Sequence, residues 1–319
     1  MVPESMEKFR FNKSAHLSEA EKKATERWLA DLYLESDVIK SREIDSIEYA
    51  LKIDYLICSG TDWAKEKLGI DLKLRIPSLK KIRFIYERDT PEEDRDPNVS
   101  AIHEAKSGSI YIIESSDEAR TMNTLSHEIV HAFSNTTLQI ERQEFGVGIE
   151  VSHSGFRGAT NDTFKYFNEL VTEAINIIIL EYHRKQQNGI DYLEPGHGIG
   201  YANGVLFFDT LVKAAAEKLG EKEDDIRSEI FRGYFRGDFT VLKVFTRAFG
   251  SVSGEPILKT LSMLKEDYYP SELLHILLVA LKIESSILPS ESDYLKKWEK
   301  YKSGKPIEIL GGITIHKNK

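Results

Sequence analysis

The chain has 319 residues, of which 41% are hydrophobic and 30% are charged, and its formal net charge is −9. This composition is typical of a globular protein. The negative charge, spread along the chain without a long basic block, argues against nucleic acid as a partner. Cys58 is the single cysteine, which excludes an internal disulfide and a zinc site rich in thiolates. Any metal must therefore be held by histidines and carboxylates.

The first residues and the hydropathy pattern bear on location. Met1 to Lys13 contains no apolar run that resembles a signal peptide, and no later stretch approaches the ~20 apolar residues that cross a bilayer. We therefore expect a cytoplasmic protein that has no membrane as a partner.

Residues 1–75 are predicted to form an N-terminal helical region. Ser18 and Glu21 have the spacing of a capping box at the start of a helix. Gly60 and Gly69 are predicted to stop later helices. The predicted helices of this region cover 18–34, 46–58 and 62–68.

A small mixed sheet and a helix are predicted next. Residues 81–86 alternate between polar and apolar side chains, as a half-buried strand does, and a second strand at 109–113 follows the polar loop 89–100. Residues 117–134 carry apolar side chains at helical spacing. Glycines and alternating residues within 136–158 predict one or two hairpins.

The remainder is predicted to be mainly helical. Asn161 or Asp162 can cap a helix that runs to about Arg184, and a short strand is predicted within 307–315. Several aromatic residues are predicted to form core: Phe231, Tyr234, Phe235, Phe239 and Phe245. Further helices are predicted at 201–219, 223–235, 238–249, 255–266, 271–283 and 291–301.

The helix at 117–134 carries an HExxH motif, His127-Glu128-Ile129-Val130-His131. Positions i and i+4 of a helix point the same way, so both imidazoles can reach one metal ion. Glu128 lies about 100° round the helix, where it can contact a water on the metal. A zinc ion lowers the pKa of such a water towards ~7, and a carboxylate can then take its proton.

Two other interpretations of this motif are possible. Two histidines on a helix can simply be satisfied by hydrogen bonds, but this motif lies in an otherwise apolar helix, where burying polar groups without a task is costly. A metzincin would have Gly and His where this chain has Ser134 and Thr137, so that class is excluded. A third ligand must come from elsewhere.

The helix after Asp162 supplies carboxylates in Asn168-Glu169-Leu170-Val171-Thr172-Glu173. Glu169 and Glu173 share one face, and like charges at this spacing oppose helix formation by ~0.2–0.5 kcal/mol. A cation and an imidazole facing them would remove that penalty.

Together, HEIVH and NELVTE resemble the gluzincin group of zinc metallopeptidases, whose pattern is HExxH followed by a helix with NExx(S/T)(D/E). The resemblance covers residues 109–185. It implies that His127, His131 and Glu169 are zinc ligands and that Glu128 is the general base. It further implies that Glu173 holds a ligand histidine by its far nitrogen.

The resemblance also suggests where substrate binds. The strand at 109–113 would be the edge strand along which an extended peptide pairs. An oxyanion stabiliser is expected near the metal, and Tyr201 is the candidate by its position after the ligand helix. Weaker candidates for the same role are His153, Tyr166, Tyr182 and His197.

We therefore expect an α+β fold with a zincin-like catalytic unit at 76–190, between the helical region 1–75 and a C-terminal helical domain at 191–319. The expected activity is that of a zinc metallopeptidase, with Zn²⁺ as cofactor and a peptide or protein as substrate. Two alternatives remain: a non-enzymatic interaction protein that kept a zincin-like shape, and a zinc hydrolase that acts on a non-peptide substrate.

Overall fold

The computed structural model describes residues 9–11, 47–75, 77, 82–85, 101–104, 108–113, 118–143, 146–158, 163–186, 201–252, 255–264 and 289–315. The helices predicted at 18–34 and 271–283 and the loop predicted at 89–100 lie outside these ranges. Within them, no helix combines the length and apolar character needed to cross a membrane. The chain divides into two compact units, residues 1–155 and 156–319.

The described part of the N-terminal unit has two α-helices and six strands, besides a π-helical segment (Ala64–Leu68) and a 3₁₀ turn (Lys73–Arg75). The helices are α1 (Ile47–Trp63) and α2 (Glu118–Phe133). The strands are β1 (Phe9–Phe11), β2 (Ile82–Ile85), β3 (Ala101–Glu104), β4 (Ser109–Ile113), β5 (Thr136–Gln143) and β6 (Gly146–Ser154). Strand β4 pairs in parallel with β2 and antiparallel with β3, which makes a small mixed sheet. Strands β5 and β6 form an antiparallel hairpin, and β1 pairs in parallel with β5.

The prediction that strand β4 lies at a sheet edge is wrong. The strand order is β2-β4-β3, so β4 is central and β2 and β3 are the outer strands in the described part of this sheet. Ser109 through Ile112 are all buried, as expected for a strand covered on both faces. Strand β3 has only four residues and no polar–apolar alternation, so the sequence pattern did not reveal it.

The predicted helix stop at Gly60 is also wrong. Helix α1 continues through Gly60 to Trp63, and a single π-helical turn then leads to Gly69. A glycine inside a helix costs about 1 kcal/mol relative to alanine, but the neighbouring Leu56 and Trp63 are buried and hold the helix together. Gly69 does end the segment, since it adopts the left-handed conformation with φ of 68°.

The described elements of the C-terminal unit are mainly helical. The helices are α3 (Lys165–Gln186), α4 (Ala202–Leu219), α5 (Glu223–Arg236), α6 (Lys243–Phe249), α7 (Ile257–Ser262) and α8 (Pro289–Lys302). The strands are β7 (Arg157–Gly158), β8 (Ser251–Val252), β9 (Glu255–Pro256), β10 (Ile307–Ile309) and β11 (Ile313–Ile315). Three boundaries differ from prediction: a 3₁₀ turn precedes α6, strand β9 replaces the start of the helix predicted at 255, and the terminal segment is a hairpin of two strands.

Helix α3 is the longest described helix of this unit and has fifteen buried residues. The predicted aromatic core is confirmed for Phe231, Tyr234, Phe235 and Phe245, whereas Phe239 is half-buried. Helix α4 approaches α3 closely at Gly204. A Cβ at Gly204 would collide with the side chain of Leu170 and lie 2.9 Å from the hydroxyl oxygen of Tyr166. Glycine at this position therefore sets the distance between α4 and the helix that carries Glu169.

The predicted fold class holds at the coarse level. The described part of the chain is α+β, mainly helical with small sheets, and the mixed sheet lies in the N-terminal unit beside the helix that carries the HExxH motif.

Candidate metal centre

Helix α2 brings the two histidines of the HExxH motif together. The Nε2 atoms of His127 and His131 lie 3.1 Å apart, and the ring planes are inclined by 71°. Two nitrogens bound to one tetrahedral zinc at 2.0–2.1 Å would be separated by about 3.3 Å. Without a metal, one ring can donate its N–H to the lone pair of the other; with a metal, both lone pairs can face the ion. The spacing fits a shared cation.

The end of helix α2 is held by side-chain hydrogen bonds. Arg75 donates from its guanidinium to the backbone oxygen of Phe133 at 3.1 Å. Ser134, directly after the helix, donates its hydroxyl to the backbone oxygen of His131 at 2.7 Å. Carbonyls in the last turn of a helix lack partners within the helix, so these two donors satisfy them. They fix the turn from which the His131 side chain projects.

The HExxH motif is largely buried, but one of its histidines remains partly exposed to solvent. His127 and Glu128 are buried, with relative exposures of 8% and 9%, whereas His131 is half-buried. The apolar neighbours Leu125 and Ile129 are buried as well. Partial exposure of His131 leaves one side of the pair open to an incoming ligand.

Helix α3 carries Glu169 and Glu173 on one face. The adjacent residues Asn168 and Thr172 form hydrogen bonds within the C-terminal unit. The side-chain oxygen of Asn168 accepts a hydrogen bond from the backbone N–H of Phe156 at 2.8 Å. Thr172 donates its hydroxyl to the backbone oxygen of Asn168 at 2.8 Å, and the same hydroxyl oxygen lies 2.8 Å from that of Tyr234 on α5. Because Thr172 has only one hydroxyl proton, Tyr234 is the donor to Thr172.

These hydrogen bonds account for Asn168 and Thr172, the polar residues of NELVTE other than the glutamates. Asn168 and Thr172 are both buried and anchor α3 to the rest of the C-terminal unit. Each glutamate follows one of them directly in sequence. Glu169 is half-buried and Glu173 is 3% exposed, one turn further along the helix. The hydrogen bonds of Asn168 and Thr172 therefore help to fix the direction in which the side chains of Glu169 and Glu173 leave the helix.

The three predicted metal ligands form one group. One ring nitrogen of His127, one of His131 and one carboxylate oxygen of Glu169 all lie within 4.8 Å of one another. Among the residues that the structure describes, this is the one such group of three or more His, Cys, Asp or Glu side chains. Two imidazole nitrogens and one carboxylate oxygen are a donor set that catalytic zinc accepts, with a fourth position left open. Glu173 is outside this group.

Tyr201 lies at the N-terminal end of helix α4 and is half-buried. Its ring packs edge-on against the ring of Tyr166, with centroids 6.0 Å apart. Tyr166 is buried and precedes Glu169 by three residues, so the two side chains lie on neighbouring turns of α3. Tyr201 thus packs against the turn that precedes Glu169.

The weaker candidates are placed as follows. Tyr182 is half-buried towards the far end of α3, and His153 lies on strand β6. His197 lies outside the described residues.

His103 is a residue near the site that the sequence did not indicate. It lies on strand β3, is half-buried, and its ring is parallel to that of His131, with 1° between planes and 6.4 Å between centroids. Its segment, Ala101-Ile102-His103-Glu104, is too short for periodicity to place it on a strand. The pairing of β3 with β4 is what carries His103 to the histidine pair.

Comparison with protein-family models, with curated proteins and with solved structures finds no match for this chain.

Proposed function

We propose that this protein is a zinc-dependent peptidase with a gluzincin-like catalytic unit. The observation that carries the proposal is the three-residue group of His127, His131 and Glu169, which the motif pair HEIVH and NELVTE anticipates residue by residue. The donor set and the 3.1 Å separation of the histidine nitrogens support zinc as the metal.

In this proposal, His127, His131 and Glu169 hold the zinc ion. Bound there, zinc supplies Lewis acidity that polarises the scissile carbonyl and acidifies a water. Glu128 is the general base: its buried carboxylate removes a proton from the attacking water and later delivers one to the leaving nitrogen. Glu173 accepts a hydrogen bond from the far nitrogen of a ligand imidazole, which fixes its tautomer and orientation.

Tyr201 is proposed as the donor that stabilises the developing oxyanion. It directly precedes α4 and packs on Tyr166, one turn before Glu169. This position beside the helix that carries Glu169 supports the role. A phenol O–H aimed at the developing charge stabilises the transition state more than the ground state.

An extended peptide is the proposed substrate, and strand β3 is its proposed template. In the described part of the sheet, β3 pairs with β4 alone. An outer strand can add one more strand through backbone hydrogen bonds, whatever the sequence of the incoming peptide. This assignment replaces β4, which is central in the sheet.

The two alternatives separate from this proposal by experiment. An interaction protein without catalysis would show no turnover in any zinc state. A zinc hydrolase of a non-peptide substrate would bind zinc and cleave small esters or amides but leave peptides intact. We favour the peptidase because an outer strand suited to peptide pairing lies beside the HExxH helix.

The test is a digest of a peptide library by protein loaded with one equivalent of zinc, followed by mass spectrometry. Cleavage should appear, should disappear after treatment with a chelator, and should return when zinc is added back. The Glu128→Gln variant, prepared in the same way, is the control for contaminating peptidases. Equal cleavage by wild type and Glu128→Gln, or none by zinc-loaded wild type, would contradict the proposal.

A further inference from the structure

His103 occupies an unusual position on strand β3. In the antiparallel register, Ala101 is opposite Ile112 and His103 is opposite Ile110, so these four residues share one face of the sheet. Ile102 points to the other face and is 50% exposed. The ring of His103 lies beside His131 of α2, which identifies the His103 face as the one that α2 covers.

An apolar residue would be expected at this position. Ile110 and Ile112 on the same face are fully buried, and the outer position of a strand under a helix is normally filled by another apolar side chain. The chain instead has an imidazole, half-buried and stacked parallel to the ring of His131. Placing a polar imidazole at a partly buried position costs more than placing an apolar side chain of similar size there, so its presence on this face suggests a functional role.

The geometry argues against His103 as a metal ligand. The three atoms that lie within 4.8 Å of one another come from His127, His131 and Glu169, and His103 is not part of that group. Its ring lies parallel to His131 with the centroids 6.4 Å apart. A group at this distance from a ligand ring can contact a molecule that the metal holds without binding the metal itself.

We propose that His103 contacts the substrate: a ring N–H donates a hydrogen bond to the substrate oxygen that gains negative charge during hydrolysis. This inference rests on the proposed peptidase function and adds to it a donor from the N-terminal unit. A donor aimed at such an oxygen typically contributes about 10²–10³-fold to kcat. Because the contact strengthens with the charge on that oxygen, its loss lowers kcat more than it raises KM.

Two variants separate this role from packing. His103→Gln keeps an N–H donor, whereas His103→Leu keeps an apolar body of similar size and has no donor. Both proteins are loaded with zinc, and zinc content is measured alongside wild type. Binding of a phosphonate dipeptide, whose tetrahedral oxyanion mimics the hydrolytic transition state, is then measured by calorimetry. Hydrolysis of a cleaved library peptide gives kcat and KM.

We expect equal zinc content in all three proteins. His103→Leu should bind the phosphonate about 10–100-fold more weakly and lose about 10²-fold in kcat with little change in KM, and His103→Gln should recover most of both. Native binding and turnover by His103→Leu would overturn the inference while leaving the peptidase proposal intact. Loss of zinc from His103→Leu would also overturn it, by making His103 a ligand. Failure of wild type to bind the phosphonate and to cleave any peptide would overturn both proposals.

Discussion

The hydroxyl oxygen of Tyr234 lies 2.8 Å from that of Thr172, and both side chains are fully buried. The pair joins helix α5 to helix α3 at the residue directly before Glu173. Thr172 in turn bonds to the backbone of Asn168, directly before Glu169. A hydrogen bond between residues 62 positions apart in sequence therefore helps to set the rotation of the helix that carries both carboxylates.

Tyr234→Phe removes the donor to Thr172 and is expected to reduce the free energy of unfolding by about 0.5–1.5 kcal/mol. It should also weaken zinc binding by about 10-fold, because the carboxylates lose part of their support. Tyr294→Phe is the matched control: it removes another buried phenol, which donates to Asn203 at 2.9 Å on helix α4. Zinc titrations that give equal affinities for the two variants would show that the pair does not position the ligand helix.

Glu128→Gln replaces the proposed base with an amide of the same shape. The variant should retain zinc and the wild-type melting temperature, because no ligand is lost, and should lose about 10²-fold or more of the hydrolytic rate. Rate measurements at matched zinc content check this. A variant that turned over substrate at the native rate would leave Glu128 as a packing residue.

Glu169 and Glu173 should differ in what their removal costs. Glu169→Ala removes a proposed ligand and should abolish tight zinc binding. Glu173→Ala removes a proposed partner of a ligand imidazole and should weaken zinc affinity by about 10–100-fold. Both substitutions remove a carboxylate from the same helix, so each is a control for the other. The opposite order in a zinc titration would exchange the two roles.

His183 gives a prediction for stability against pH. Burial lowers the pKa of His183 below its usual range, because the charged imidazolium loses hydration in the folded protein. The unfolded chain, with a pKa near 6.5, therefore takes up a proton that the folded protein does not. The resulting stability is present above about pH 6.5 and is lost as the pH falls, by at most about 1.4 kcal/mol per pH unit.

The measurement for His183 is urea unfolding of wild type and His183→Gln between pH 8 and pH 5, with a chelator present so that acid release of metal does not contribute. The free energy of unfolding of wild type should fall more steeply below pH 7 than that of His183→Gln. Parallel curves would contradict the assigned effect of burial.

The long helices and the approach of His127 to His131 could be predicted from sequence because their signals are local. The helix at 117–134 was observed at Glu118–Phe133, and the helix predicted to end near Arg184 was observed at Lys165–Gln186. Helical periodicity over sixteen or more residues leaves little ambiguity. The i, i+4 spacing of His127 and His131 follows from the helix alone.

The remaining features depend on contacts between distant residues. Strand β3 exists because it pairs with β4, and four residues without alternation contain no signal of that pairing. The placement of His103 beside His131, across 28 positions of sequence, follows from the same pairing and could not be inferred. Tyr234 was predicted only as core, because its partner Thr172 lies on another helix.

Zinc content tests the central claim most directly. Protein purified at neutral pH without added metal is analysed for zinc by elemental analysis, beside His131→Ala and the control His183→Gln, which removes a described histidine outside the three-residue group. Wild type and His183→Gln should each carry close to one zinc per chain, and His131→Ala should carry far less, because two ligands cannot replace three. Equal zinc content in His131→Ala and wild type, or no zinc in wild type even after incubation with zinc, would contradict a metal site built from His127, His131 and Glu169.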